Sequence, residues 1–360
     1  MAFRPARLPP SIDLAELAEP LGDARAAIGE LKGACRRLQN PMILIRPLQR
    51  REALTSSAME GTYSTEDELV LTEAGLEPAP SDDTQEVANF VRALSGAAQR
   101  IRDEPITTRL IRDTHSILMS RLSRHRGAHR HPGEFKRDQN MIGGRDLQTA
   151  RFIPPPPAET LDCMSELERY INREPPPTQG QALLDLALVH YQFETIHPFA
   201  DGNGRVGRML ISLMALSGGL LDTPALYMSP AIEGAKDRYI DLMYAVSAES
   251  AWEPWIAFFL GKIAESATNT IGTVDRLLAL ETDYRERIST IKSGNAATLV
   301  SMLFETPAVT PARVAERIGV TDMGARKLLA RFEEIGIIRA VENIYPKVYL
   351  ATGIMSAARK

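Results

Sequence analysis

The chain has 360 residues, 44% of them apolar and 24% charged, and a formal net charge of −4. That length exceeds one ordinary core and suits two or three domains. The mildly acidic balance excludes a protein that coats a polyanion with its whole surface. Cys35 and Cys163 lack metal-ligand spacing and read as free thiols in a reducing compartment. The N-terminus carries no apolar signal core, and no run approaches the roughly 20 apolar residues of a membrane span. The expectation is a cytoplasmic protein with no membrane partner.

Helical periodicity dominates the first hundred residues. Residues 11–39 space apolar side chains at three and four, with Pro20 and Gly22 as interruptions. A second helix is expected from about Met42 to Glu60, closed by Gly61. Two more follow in "DDTQEVANFVRALSGAAQRI" and "ITTRLIRDTHSILMSRL". The pattern then breaks from Arg124 to Pro157. There "NMIGGRDLQTARFIPPPP" reads as a β-hairpin turning near Gly143 and Gly144, stopped by four prolines. Helices return from Leu161, and one of them, "ALLDLALVHYQFETI", shows an apolar face of Leu184, Leu188 and Tyr191 and delivers His197 at its end.

The run "HPFADGNGRVGR", His197 to Arg208, concentrates the chemistry. Its glycines cannot continue a helix, and a new one is expected from Asn203 with Val206, Leu210 and Leu213 as its stripe. A loop entering a helix N-terminus presents unsatisfied N–H groups to an anion. Gly202 and Gly204 permit close backbone approach, and Arg205 and Arg208 add charge-assisted bonds from one side of the helix. Asp201 is a hard oxygen ligand suited to Mg²⁺ shared with substrate phosphates. His197 has the unperturbed pKa of a general base. An EF-hand is excluded by Arg205 and by Ser212 where a bidentate glutamate belongs, and a dinucleotide fingerprint by the helical element that precedes the glycines. A plain glycine turn explains neither the histidine nor the arginines.

His197, Phe199, Asp201, Gly202, Asn203, Gly204, Arg205 and Arg208 together resemble the signature of the Fic (filamentation-induced-by-cAMP) domain family. The resemblance implies transfer of AMP from ATP to a Ser, Thr or Tyr hydroxyl of a target protein. By position, His197 would deprotonate that hydroxyl and Asp201 would ligate Mg²⁺. Gly202, Asn203 and Gly204 would line the anion hole, Arg205 would hold the β-phosphate, Arg208 the γ-phosphate, and Phe199 would anchor the loop. The hairpin around Ile142, Gly143 and Gly144 would be the flap that aligns an extended target segment. Near Ala235 the polar residue with which relatives contact the base is replaced. Upstream, "SSAMEG" resembles the family's inhibitory motif: Glu60 would pair with Arg208 and exclude the γ-phosphate, Ser56 would face the nucleotide site, and Gly61 would close the helix. The histidines at 125, 129 and 131 sit among arginines and read better as a basic surface than as a metal site.

The last part changes character. Val314, Ala315 and Ile318, a Gly319-Val320 turn, then Ala325, Leu328, Leu329 and Phe332 have winged-helix spacing, with Asp322, Arg326 and Lys327 facing outward. This unit could bind DNA or serve docking and dimerisation. The expected architecture is mainly α, with a helical inhibitory region at 1–95, a Fic core with a small flap at 96–280 and a winged helix-turn-helix at 290–352. The expected activity is adenylyl transfer with ATP and Mg²⁺, self-modification included, restrained by Glu60. Phosphotransfer, other nucleotidyl transfer, AMP removal, and a DNA-binding regulator that senses nucleotide are the alternatives.

Overall fold

Sequence periodicity of 3.6 becomes a bundle of helices arranged around one that is buried on every side. The computed structural model describes residues 2–37, 42–76, 80–122, 131–291, 293–342 and 345–359, with backbone alone for 42–44. The central helix, α7 (Gln179–Ile196), starts at a capping box between Thr178 and Gln181. Nearly every residue from Ala182 to Ile196 is buried, so the apolar face expected from sequence is in fact the whole circumference. Around α7 stand α1 (Ala18–Arg36), α6 (Pro157–Ile171), α8 (Asn203–Ser217) and α11 (Trp252–Ile288). Pro20 lies in the first turn of α1, where its missing N–H has no intrahelical partner, and therefore does not break it. The last proline of the "PPPP" run is likewise the first residue of α6.

The helix α2 (Met42–Met59) runs between this core and the C-terminal elements, followed by α3 (Glu66–Glu73), α4 (Asp82–Arg100) and α5 (Thr108–Leu118). After α8 come α9 (Ser229–Glu233) and α10 (Lys236–Glu249), the second of which walls the cleft described below. The C-terminal part has α12 (Asn295–Glu305), β1 (Ala308–Val309), α13 (Pro311–Ile318), α14 (Asp322–Glu334), β2 (Arg339–Ala340) and β3 (Tyr349–Leu350). Its strands form an antiparallel sheet in the order β1-β3-β2, with Ala308 and Arg339 both opposite Leu350. A final helix, α15 (Thr352–Arg359), is absent from the sequence-based reading and packs on α11 and α2.

The expected boundaries at 95/96 and 280 cut helices. The apolar residues of α4 from Val87 to Ala98 join the main core, and α11 belongs to two cores at once. Its first half, through Ala267, sits in the main core, while Val274, Leu277, Tyr284 and Ile288 join the C-terminal one. A smaller cluster of Val70, Ala74, Ala308, Val348, Leu350 and Met355 fuses α3 to the C-terminal sheet. Among the described residues, no helix is long and apolar enough to cross a membrane.

Candidate active site

Helix α7 ends in an unusual residue. His197 adopts the left-handed conformation, φ 49° and ψ 61°, that glycine commonly takes at a helix end. For a residue with a Cβ this costs about 1–2 kcal/mol, so the surroundings must over-determine it. They do so through the carbonyls on either side. Lys136 donates from Nζ to Ile196 O at 2.9 Å and from its backbone N–H to Pro198 O at 2.8 Å. Asn140 donates from Nδ2 to His197 O at 3.1 Å and to Phe199 O at 2.7 Å. Sequence reading missed both residues. Their one signal was a lysine and an asparagine four apart at the start of the expected flap, which runs from about Lys136 to Pro157.

The loop is pinned from its other end by Asn203. Its Oδ1 accepts from Phe199 N–H at 2.8 Å and its Nδ2 donates to Phe199 O at 2.8 Å. Asn203 is 2% exposed and its side chain is spent on the loop itself, so its backbone N–H in the first turn of α8 is the part left for an anion. Phe199 is fully buried and stacks on the His115 ring, centroids 3.8 Å apart and planes 3° from parallel. His115, a third residue not anticipated, accepts from Gly133 N–H at Nδ1 (2.9 Å), which leaves Nε2 protonated to donate to Asp201 O at 3.0 Å. Burial depresses its pKa to about 4, so the ring is neutral and the network intact at neutral pH. Replacing Asn203 by alanine is expected to destabilise the fold by about 2–3 kcal/mol, since two buried backbone groups lose their partner. Denaturant unfolding checks this, and an unchanged midpoint would refute it.

Gly202 follows as N-cap of α8 with φ 78°, open to glycine and costly to other residues. At Gly204 a Cβ would lie 2.2 Å from Glu60 Oε1, so the close approach of the carboxylate requires glycine there. Glu60 sits just past the end of α2, and Gly61, with φ 82°, turns the chain away. Its Oε1 accepts from Arg208 Nη2 at 2.8 Å. The same guanidinium donates from Nε to Ser56 Oγ at 2.8 Å and from Nη2 to Ser56 O at 2.9 Å. Arg208 is 2% exposed and Ser56 fully buried. Ser56 is therefore a partner of Arg208, tighter than the expected view onto the nucleotide site. Burial pushes the Glu60 pKa up, but Arg208 first and then Arg205 and Lys236 outweigh it, holding the carboxylate below its usual range. Lys236 adds a hydrogen bond to Met59 O at 2.5 Å, capping the helix that presents Glu60.

Arg205 departs from expectation. It is 3% exposed and ion-paired with Glu86 of α4, with a second contact to Asp201 Oδ1 at 3.3 Å. It braces the loop against α4 and does not line the cleft. Asp201 is half-exposed; its Oδ1 also accepts from Gly202 N–H at 2.6 Å.

His197 Nδ1 lies 3.3 Å from Glu194 O, an arrangement that bonds only if Nδ1 carries the proton and leaves Nε2 as a base. Burial, then the Lys136 charge, lowers its pKa to about 4 against the opposing effects of Glu194 O and Glu60. Glu194 itself is driven up to about 8 by burial. His197, Glu194, Arg208 and Glu60 open into a cleft of about 900 Å³, walled by Lys236, Tyr239 and Met243 on α10. Its far lip is the flap. Ile142 and Phe152 form one antiparallel bridge, N···O 2.9 and 3.0 Å, in place of a ladder. The turn falls at 145–149, where Asp146 Oδ1 and the Thr149 hydroxyl stitch the chain, so Gly143 and Gly144 lie between the bridge and the turn, just short of the tip. Arg151 ties the flap to α10 through Asp241 at 2.7 Å and the Tyr244 ring. Histidines 125 and 129 lie outside the described residues, and among those described no group of three or more His, Cys, Asp or Glu could hold a metal.

The arrangement defines a helical fold built around a glycine-rich loop, with a histidine at one end and an arginine at the other held by a carboxylate of the same chain. The chain belongs to the Fic/DOC family: residues 18–99 match the Fic/DOC family N-terminal model and residues 105–215 the Fic/DOC family model. It is 25% identical over 298 residues to protein adenylyltransferase Fic of Drosophila melanogaster, covering 78% of this chain and 54% of that protein. The Drosophila mojavensis protein of the same name is 37% identical over 90 residues, 24% of this chain and 16% of its own. This chain thus spans about half the length of the D. melanogaster relative, 54%. Among solved structures, a Fic family protein from Desulfovibrio desulfuricans superposes with TM-score 0.58 at 20% identity, over 97% of this chain and 99% of its own. A Fic domain containing signaling protein from Bacteroides thetaiotaomicron gives TM-score 0.54 at 20% identity over 70% and 97%.

Proposed function

We propose that this chain is a protein adenylyltransferase that moves AMP from ATP to a hydroxyl of a target protein and is held off by its own Glu60. The observation that carries this is the Arg208 guanidinium, joined at once to Ser56 and Glu60 and one helical turn from Gly204. A site built for a phosphate tail is here filled by a carboxylate. Relatives named protein adenylyltransferase support the reaction class. His197, neutral and protonated on Nδ1, accepts the target hydroxyl proton at Nε2 as the oxygen attacks the α-phosphorus and pyrophosphate leaves. The first-turn N–H groups of α8 receive the phosphate charge, and Arg208, once free, holds the γ-phosphate. The flap edge at Ile142 aligns the target segment.

Asp201 fits a magnesium ion that arrives with ATP, because its half-exposed carboxylate is one oxygen donor and such ions take the rest from phosphates and water. When bound, the ion neutralises phosphate charge. In this reading Arg205 keeps the loop in place and leaves phosphate binding to Arg208 and the backbone. The C-terminal unit has winged-helix order, but on α14 Arg326 is matched by Asp322 at 2.7 Å and Arg331 by Glu334 at 2.6 Å. Such internal pairing leaves little charge for phosphates of DNA, so we read the unit as a brace on α2.

Incubating the Glu60→Gly chain with ATP labelled at either the α- or the γ-phosphorus tests the reaction. Protein-bound α-label supports adenylyl transfer; γ-label would make the chain a phosphotransferase. Lys136→Met in that background is expected to raise the His197 pKa, because a cation that disfavours the imidazolium is gone. The acid limb of the pH–rate profile should move upward, while Lys136→Arg restores it. An unmoved limb would limit Lys136 to holding the loop.

A further inference from the structure

A second concavity, about 1220 Å³ with its open mouth, lies where α2, α4 and α12 meet. Four arginines line it: Arg46 and Arg50 from α2, Arg92 from α4, and Arg121 from the turn after α5. Two carboxylates share the lining, and both are committed. Glu73 accepts from Arg50 Nε at 2.6 Å, and Glu305 lies 3.6 Å from Arg317, outside the cleft. Arg92 hydrogen-bonds the neutral Asn89 side chain and is repelled by Arg121. Among the described residues, no carboxylate pairs with Arg46, Arg92 or Arg121. Three guanidiniums therefore line one concave space with no paired carboxylate among the described residues, and Gln85 and Thr306 add polar groups to its wall.

Converging like charges repel unless an anion separates them, and guanidinium forks match phosphate oxygens two at a time. We infer that this cleft binds a small polyphosphate, the phosphate chain of a nucleotide or of an inorganic polyphosphate, at a site separate from the His197 loop. Its concavity suits a compact ligand better than an extended peptide or nucleic acid strand. The position gives the site a use. Arg50, 3% exposed, also donates to Glu305 O at 2.9 Å, joining α2 to α3 and to the C-terminal unit. An anion in the cleft would compete with Glu73 for Arg50 and so act on the helix that presents Ser56 and Glu60.

Isothermal titration with sodium tripolyphosphate tests the site without relying on the adenylyl-transfer reading. Three chains are compared: wild type, Arg208→Ala, and the double variant Arg92→Ala with Arg121→Ala, whose two side chains are exposed. The expected result is one-to-one binding that Arg208→Ala retains and the double variant loses by about tenfold or more. The double variant Arg92→Lys with Arg121→Lys should keep part of the affinity, since charge remains while the fork is lost. Wild-type affinity in the double alanine variant, loss of binding in Arg208→Ala, or no binding by any chain would each overturn the proposal. Thermal melts identify a double variant that has failed to fold; in that case the lysine pair, titrated against wild type, decides.

Discussion

Replacing Glu60 by glycine in the intact chain is expected to raise AMP incorporation by about a hundredfold over wild type. The reason is competitive geometry. Arg208 is buried, and its Nε and Nη2 are fully engaged by Ser56 and Glu60. A γ-phosphate can reach it only by displacing a carboxylate held below its usual pKa by that same guanidinium. Breaking a buried, hydrogen-bonded charge pair costs about 2–5 kcal/mol, and about 3 kcal/mol of that converts to roughly two decades in occupancy of the reactive pose. Glycine removes the competitor and leaves Ser56 to orient Arg208. Intact-protein mass spectrometry after incubation with ATP and Mg²⁺ reads the result as AMP-sized adducts. Equal adduct levels in wild type and Glu60→Gly would mean that the carboxylate does not restrain the site.

Replacing His197 by alanine in the Glu60→Gly background is expected to lower that incorporation by about 10²–10⁴, the usual contribution of a positioned general base. The alanine must also keep a left-handed backbone, so a folding control belongs beside the rate. The pH profile gives an independent readout. A base works when deprotonated, so the rate falls as pH drops through its folded pKa, here lowered to about 4 by burial and Lys136. Glu60, which opposes that lowering, is gone in this background. The rate should therefore be flat between pH 6 and 8, where an unperturbed imidazole near 6.5 would produce a limb. A limb near 6.5 would show that the ring is not held in this desolvated setting.

Much of the site was legible because its residues are contiguous. His197 through Arg208 fall within one loop and the first two helical turns, and backbone geometry alone then places Gly202 at a helix N-cap and Arg208 on the inner face of α8. The pairing of Glu60 with Arg208 joins residues 148 apart, and the separation in sequence carries no distance information. It was legible only through the family resemblance. Where the reading failed, the cause was side-chain direction. Arg205 and Arg208 share one side of α8 by periodicity, yet packing against α4 turns Arg205 to Glu86 while α2 receives Arg208. The Asn203 side chain, expected at an anion hole, holds both backbone groups of Phe199.

The sequence by itself determined the helical class, the order of the elements and the chemical types gathered at the loop, because periodicity, capping and glycine placement are local properties of the chain. Only the tertiary structure decided that Lys136 and Asn140 hold a strained His197, that His115 supports Asp201 from behind, and that α11 belongs to two cores. It alone brought four arginines from three segments around one cleft. Those are consequences of which surfaces meet, and burial and charge act there between residues that the sequence keeps far apart.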